Sequence, residues 1–354
     1  MPLGIRLTKG AGLARSSCRA PVSARARILS LAGALALTAS AGTAAAEASS
    51  LPPQLSYGYG ENETPRAAAF GGALRALGNG TSAIFMNPSA MVETRVYHLQ
   101  GLFQGSPEAG RHTYGGVVVD SVTGRLAGAL SFVGGFVDGD GGIDRSFLDV
   151  RAGLAYPITE RLFVGLAGRY AKISQEGTLR QGGLGDSLVS KGLVDVEDKN
   201  GRHSLVNEIT FDASLTAKPT DTLYIAVVGQ NLTFPNHGLL PTTLGGGVGV
   251  GTEDFSIEVD GLADLHSYSD TTFRIMAGGE YLAADHFPLR AGYRYDQGAE
   301  QHALSIGVGY VGTQFSIEAS VRRALASDGP TTIVAGLAYH LESSGLTRAT
   351  SDEL

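Results

Sequence analysis

The stretch His286-Phe287-Pro288-Leu289-Arg290-Ala291-Gly292-Tyr293-Arg294-Tyr295-Asp296 decides the fold. Phe287, Leu289, Ala291, Tyr293 and Tyr295 alternate with Pro288, Arg290, Gly292, Arg294 and Asp296. The period is two, so the stretch is a strand with one apolar and one charged face. The same split runs through Asp254 to Leu262, with Phe255, Ile257 and Val259 against Ser256, Glu258 and Asp260. It recurs in Gln314 to Arg322, where Phe315, Ile317, Ala319 and Val321 oppose Ser316, Glu318, Ser320 and Arg322.

Followed outward from these three stretches, alternation predicts fourteen strands, near 95–104, 111–120, 125–134, 147–157, 161–172, 205–218, 222–231, 242–251, 253–262, 271–282, 286–296, 301–311, 313–323 and 331–341. Most are about the 9–11 residues a tilted strand needs to cross a bilayer, against a mode of about 5–6 in soluble sheets. The connections alternate as well. Ser121–Gly124, Ile158–Glu160, Pro219–Asp221, Thr252, Ala283–Asp285 and Gly312 are short, whereas Gly135–Ser146, Ile173–Ser204, Thr233–Pro241 and Ala263–Asp270 are longer and richer in Gly, Asp and Ser. Short inner turns and long outer loops are the rhythm of an outer-membrane barrel with both chain ends in the periplasm.

Charge gives a further test, because a basic residue facing lipid at the midplane costs about 2–4 kcal/mol. The register places the strand Lys and Arg opposite the apolar set, and the predicted lumen-facing charges are Arg169, Glu258, Asp260, Arg274, Glu280, Arg290, Arg294, Glu318 and Arg322. Narrow polar lumens favour pairing among such groups; a selectivity ring for an anionic head group is the sharper alternative. A secreted soluble β-sandwich also segregates charge to one face, but it accounts for neither the strand lengths nor the loop rhythm. The expected fold is therefore all-β: a transmembrane antiparallel barrel of about 14 strands. Tryptophan is absent, so Tyr97, Tyr114, Tyr156, Tyr170, Tyr281, Tyr310 and Tyr339, near strand ends, are the expected interfacial aromatics.

Composition fits. The 354 residues include 50 glycines, 43% hydrophobic and 17% charged residues, and no apolar run long enough for a membrane helix occurs after the N-terminal region. Residues 1–46 carry six basic side chains and no acid, then an apolar run from Ile28 to Ala39 and a small-residue site ending at Ala46. This pattern predicts a signal peptide cleaved near Ala46, and hence export. Cleavage removes six of the 27 basic residues, none of the 34 acidic ones, and the single cysteine, Cys18. The mature chain is then strongly acidic and cysteine-free, which argues against nucleic acid as a partner and against disulfide or thiol chemistry.

Between the signal and the barrel (94–341) lies 47–93, the part of the mature chain before the tail that lacks strand alternation. Thr64 is placed to cap a helix starting at Pro65 and running to Leu77, stopped by Gly78-Asn79-Gly80. A second short turn, Thr81 to Met86, ends at Asn87-Pro88. Small inward residues such as Gly153, Gly165, Gly292 and Gly336 leave room for this segment in the lumen. The run from Gly72 to Met91, with Gly78-Asn79-Gly80 and Asn87-Pro88-Ser89, resembles the N-terminal signature of FadL-type and PorV/PorQ-type outer-membrane proteins. In those a glycine-rich run leads to Asn-Pro-Ala; this chain has Ser89 instead of the alanine. Gly229-Gln230-Asn231-Leu232 and Gly279-Glu280-Tyr281 are similar too.

The resemblance implies a fourteen-stranded barrel with an N-terminal, partly helical hatch in its lumen, inserted by the barrel-assembly machinery into outer-membrane lipid. FadL-type members pass hydrophobic molecules such as fatty acids or aromatic hydrocarbons through the outer membrane. PorV-type members serve protein secretion and surface attachment, with secretion-machinery proteins as partners. The uptake channel for a fatty-acid-like or aromatic molecule is the leading expectation.

Other motifs are set aside. Asp138 to Asp144 spaces carboxylates as a calcium loop does, but Ile143 stands where the sharp turn needs glycine. Gly245 to Gly251 has no following helix and is no dinucleotide loop. The eight histidines show no metal spacing, and His302 with Ser305 forms no defined triad. No enzyme activity and no cofactor are expected. A polar tail, 342–354, closes the chain.

Overall fold

Strands form where period two runs, and pairing closes them on themselves. The structure, a computed structural model, describes residues 62–94, 97–139, 143–176, 203–235, 239–267, 270–325 and 329–340. The expected signal peptide, the start of the expected hatch, most of the longest outer loop, the middle of the set-aside calcium loop and the polar tail lie outside the described residues. The strands are β1 Tyr97–Ser106, β2 Arg111–Asp120, β3 Ala127–Gly139, β4 Ile143–Thr159, β5 Leu162–Glu176, β6 His203–Ala217 and β7 Leu223–Gln230. They continue as β8 Thr243–Gly251, β9 Phe255–Asp264, β10 Thr272–Ala283, β11 Phe287–Asp296, β12 Gln301–Val311, β13 Phe315–Ala324 and β14 Thr331–His340. Each pairs antiparallel with its sequence neighbours, and β1 pairs with β14 from His98↔His340 to Gly105↔Ile333, giving a closed barrel. The predicted count of fourteen holds. Closure leaves no open sheet edge, which is what lets backbone amides tolerate lipid.

The two faces separate by side chain. Leu130, Phe132, Leu154, Ile209, Val227, Ile306 and Leu337 point outward and are exposed, while Gln100, Ser131, Arg151, Thr210, Glu258, Arg274 and Ser305 are buried within. Two basic residues depart from the expected rule. Lys172 and Arg323 lie on the outward register, near the long-loop ends of β5 and β13, and Arg323 reaches Glu108 at 2.7 Å. At that height a long cationic side chain can reach headgroups and water, so the lipid penalty falls away.

A second difference concerns Gly135–Ser146, expected as a loop. Here β3 continues to Gly139 and β4 begins at Ile143, paired through Phe136↔Ser146 and Val137↔Arg145. Cross-strand pairing supplies the hydrogen bonds and contacts that a Gly- and Asp-rich composition does not advertise.

Candidate functional site

Residues 62–94 pack against the inner faces of the barrel strands. Thr64 caps α1 (Pro65–Ala69), its hydroxyl accepting from the Ala67 amide, and also meets the Ser82 hydroxyl at 2.6 Å. The helix ends well short of the expected Leu77. Gly71 and Gly72 adopt φ of 70° and 90°, a left-handed conformation that glycine takes without strain. Immediately beyond them the amides that would have continued the helix are taken by the wall. Leu74 and Arg75 donate N–H to Asp260 Oδ2 at 3.1 Å each, and Ala76 and Leu77 donate to Glu258 at 2.5 and 2.8 Å. Two carboxylates of β9 thus hold four consecutive backbone donors, and the Arg75 guanidinium joins Asp260 at 3.1 Å. Charge-assisted bonds of this kind are stronger than the neutral amide–carbonyl bonds of a helix, so the helix that ends at the Gly71-Gly72 turn does not resume before Leu77.

The chain then makes a 3-10 turn, Gly80–Ser82, a short α2 (Ala83–Met86) and a second 3-10 turn, Pro88–Val92, capped by Asn87. Asn87 is fully buried and fully used: its amide group donates to Arg75 O and Thr216 Oγ1, and its oxygen accepts from the amide and hydroxyl of Ser89. Ser89, the departure from the family pattern, has a use. Its hydroxyl meets Thr216 Oγ1 at 2.7 Å and its amide donates to Ser214 on β6 at 2.9 Å. Asn79 accepts from Arg66 at 2.8 Å, and Gly80, at φ 56°, lies against His98. Close approach is what the small inward wall residues provide. A Cβ on Gly165 would overlap the Pro88–Ser89 backbone, and one on Gly292 would overlap Phe70–Gly71. Between these polar anchors, Phe70, Leu74, Ile84, Phe85, Met86 and Met91 pack with Val117, Val119, Val133, Leu262 and Met276, each large side chain contributing about 1.5–3 kcal/mol.

The nine charges singled out in the sequence fall into separate groups. Arg290 bridges Glu280 and Glu318, the latter at 2.7 Å, and Glu280 also takes Arg66 at 3.3 Å. Arg322 and Arg294 converge on Glu63, at 2.6 and 3.7 Å. Arg274 joins Asp264 and Asp296. Across the lumen, Arg169 and Arg151 share Asp149 at 2.5 and 2.9 Å, and Arg151 reaches Asp212 at 3.4 Å. Glu258 and Asp260 are the pair that grips the segment. Burial of so many ions is tolerable only because each finds an opposite charge or donor.

Sequence reasoning did not single out Glu63 and Arg75, because nothing in a segment without alternation tells which wall residue it will meet. It also left Arg145 in a loop, whereas the side chain is fully buried on β4, in register through Val137 with the buried Arg111 of β2. The signal for Arg145 was present in Arg145-x-Phe147-x-Asp149-x-Arg151, a period-two run that the glycines before it obscured.

At the short-turn end the lumen opens into a cavity of about 720 Å³, bounded above by Thr64, Arg66, Leu77 and Gly80–Ser82 and at the side by β7 to β14 and β1. Glu93, where the segment leaves for β1, is fastened to Lys218 in the β6–β7 turn at 2.9 Å and to Tyr224 at the start of β7 at 2.8 Å. Burial works to lower the Lys218 pKa, but its bonds to Tyr224 and Glu93 prevail and raise it above the usual lysine range. Among the described residues no group of three or more His, Cys, Asp and Glu is arranged to hold a metal.

A family model described as outer membrane protein beta-barrel domain matches residues 125–311. No curated protein matches the chain. The crystal structure of the Ralstonia pickettii toluene transporter TbuX aligns with a TM-score of 0.56 at 17% identity, over 79% of this chain and 98% of that one. The CymD monoaromatic hydrocarbon channel aligns at 0.56 and 13%, over 79% and 97%. A Pseudomonas aeruginosa FadL homologue aligns at 0.54 and 14%, over 78% and 97%. At these identities the likeness is one of fold, that of the FadL-type barrel.

Proposed function

The chain belongs to the outer membrane protein beta-barrel domain family, and from that premise we propose that it is a passive outer-membrane channel for poorly water-soluble small molecules, with residues 47–93 as its hatch. The observation that carries this reading is the way 62–94 fills the bore: held by side-chain hydrogen bonds and ion pairs to the wall, it leaves a cavity of about 720 Å³ beneath. A segment gripped by separable polar contacts can shift without unfolding the wall, whose hydrogen bonds are its own. The barrel fold is shared with a toluene transporter and a monoaromatic hydrocarbon channel, which makes an aromatic or fatty-acid-like solute the first to test. The lumen charges are read as anchors of the hatch, since they are spent on one another and on it. The secretion-component alternative draws no support from the comparisons.

Uptake of radiolabelled toluene by cells producing the protein, against cells without it, is the direct measurement. A severalfold faster initial rate is expected, and equal rates overturn the channel. Deleting 47–93 should in addition raise vesicle permeability to small sugars, provided the variant still runs as a heat-modifiable barrel. An unchanged leak removes the hatch.

A further inference from the structure

We propose that His98 and His340 form a binding site for an imidazole-preferring divalent transition metal, Cu(II), Ni(II) or Zn(II), at the seam where the first and last strands close the barrel. The site does not depend on the transport reading. His98 on β1 and His340 on β14 are direct register partners. Their rings lie on the same inner face with centroids 4.2 Å apart and planes tilted by 56°. Directly opposed residues have Cβ atoms about 4.5–5.5 Å apart, a span that two imidazoles can bridge through one ion. Among the described residues neither ring nitrogen of His340 has a hydrogen-bond partner, so no competing bond there must be broken before it ligates.

Room and charge agree. Both histidines line the 720 Å³ cavity, where water can complete the coordination of an ion that has only two protein ligands. Within that cavity Arg66 and Arg290 are matched by Glu280 and Glu318, and Glu253 and Asp254 at its rim tip the lining negative. A cation is therefore drawn in rather than repelled. Imidazole selects Cu, Ni and Zn over Mg or Ca, which prefer oxygen. Spacing along the chain conceals the pair, because only barrel closure brings position 98 beside position 340.

The test is Cu(II) titration of the full-length, untagged, detergent-purified barrel, followed by electron paramagnetic resonance and calorimetry. One saturable equivalent with nitrogen hyperfine splitting is expected. His340→Ala should weaken it tenfold or more, as should His98→Ala, while His112→Ala leaves it unchanged. Because His98 touches the Gly80 turn, His340→Gln serves as the variant least able to disturb packing, and heat modifiability reports that each barrel is folded. Absence of saturable binding, binding without nitrogen splitting, or binding that survives His340→Gln overturns the site.

Discussion

The outer and inner faces of this wall are built from the same strands, yet they obey opposite rules. On β12, Leu304, Ile306 and Val308 are exposed, and between them Ser305 and Gly307 meet the segment that fills the bore. On β11, Leu289 faces out while Arg290, one residue on, is buried between two glutamates. A soluble protein hides its apolar residues and exposes its charges; here the exposed side is greasy and the buried side ionic. The difference teaches that each face is matched to its own solvent. Acyl chains cannot satisfy a charge, whereas a polar bore filled by the chain itself can satisfy many.

The sharpest way to break the inner rule is to remove one member of a buried pair. Asp260→Ala leaves the amides of Leu74 and Arg75 without their acceptor and the Arg75 guanidinium without its carboxylate. A buried partner lost in this way costs about 3–5 kcal/mol. The expected outcome is a folded barrel with a released segment, read as a higher leak to small sugars and faster amide exchange at 74–77. The outer rule breaks by the reverse substitution. Ile306→Arg, at the middle of β12 and 60% exposed, should destabilise the barrel by about 2–4 kcal/mol, measured by denaturant titration in vesicles, with the bore unaffected. Water-exposed turns should obey neither rule. Arg161 and Asp221, paired at 3.2 Å on the short-turn rim, are mostly exposed, and Arg161→Ala should shift stability by less than about 1 kcal/mol.

Much of this contrast is local. Period two in 286–296, 254–262 and 314–322 assigns Arg290, Glu258 and Glu318 to a face without reference to any other strand, because side-chain direction in a strand depends only on parity. Thr64-Pro65 announces a helix start for the same reason, since capping uses neighbouring residues. Where a tertiary partner competes, local reading loses. The helix expected to reach Leu77 ends at Ala69 in the Gly71-Gly72 turn and does not resume, because Glu258 and Asp260 bind the amides of residues 74 to 77, and a loop expected at 135–146 is mostly strand because each side completes the other.

By itself, then, the chain determined the number of strands, the face most strand residues take and the alternation of short and long connections, all of which follow from near-neighbour geometry and the thickness of a bilayer. Tertiary structure alone decided the contacts that span the bore: Glu63 with Arg322, Glu258 with Leu77, Asn87 with Thr216, His98 beside His340. These join residues distant in sequence, and their register is set only when the cylinder closes and the leading segment settles inside it.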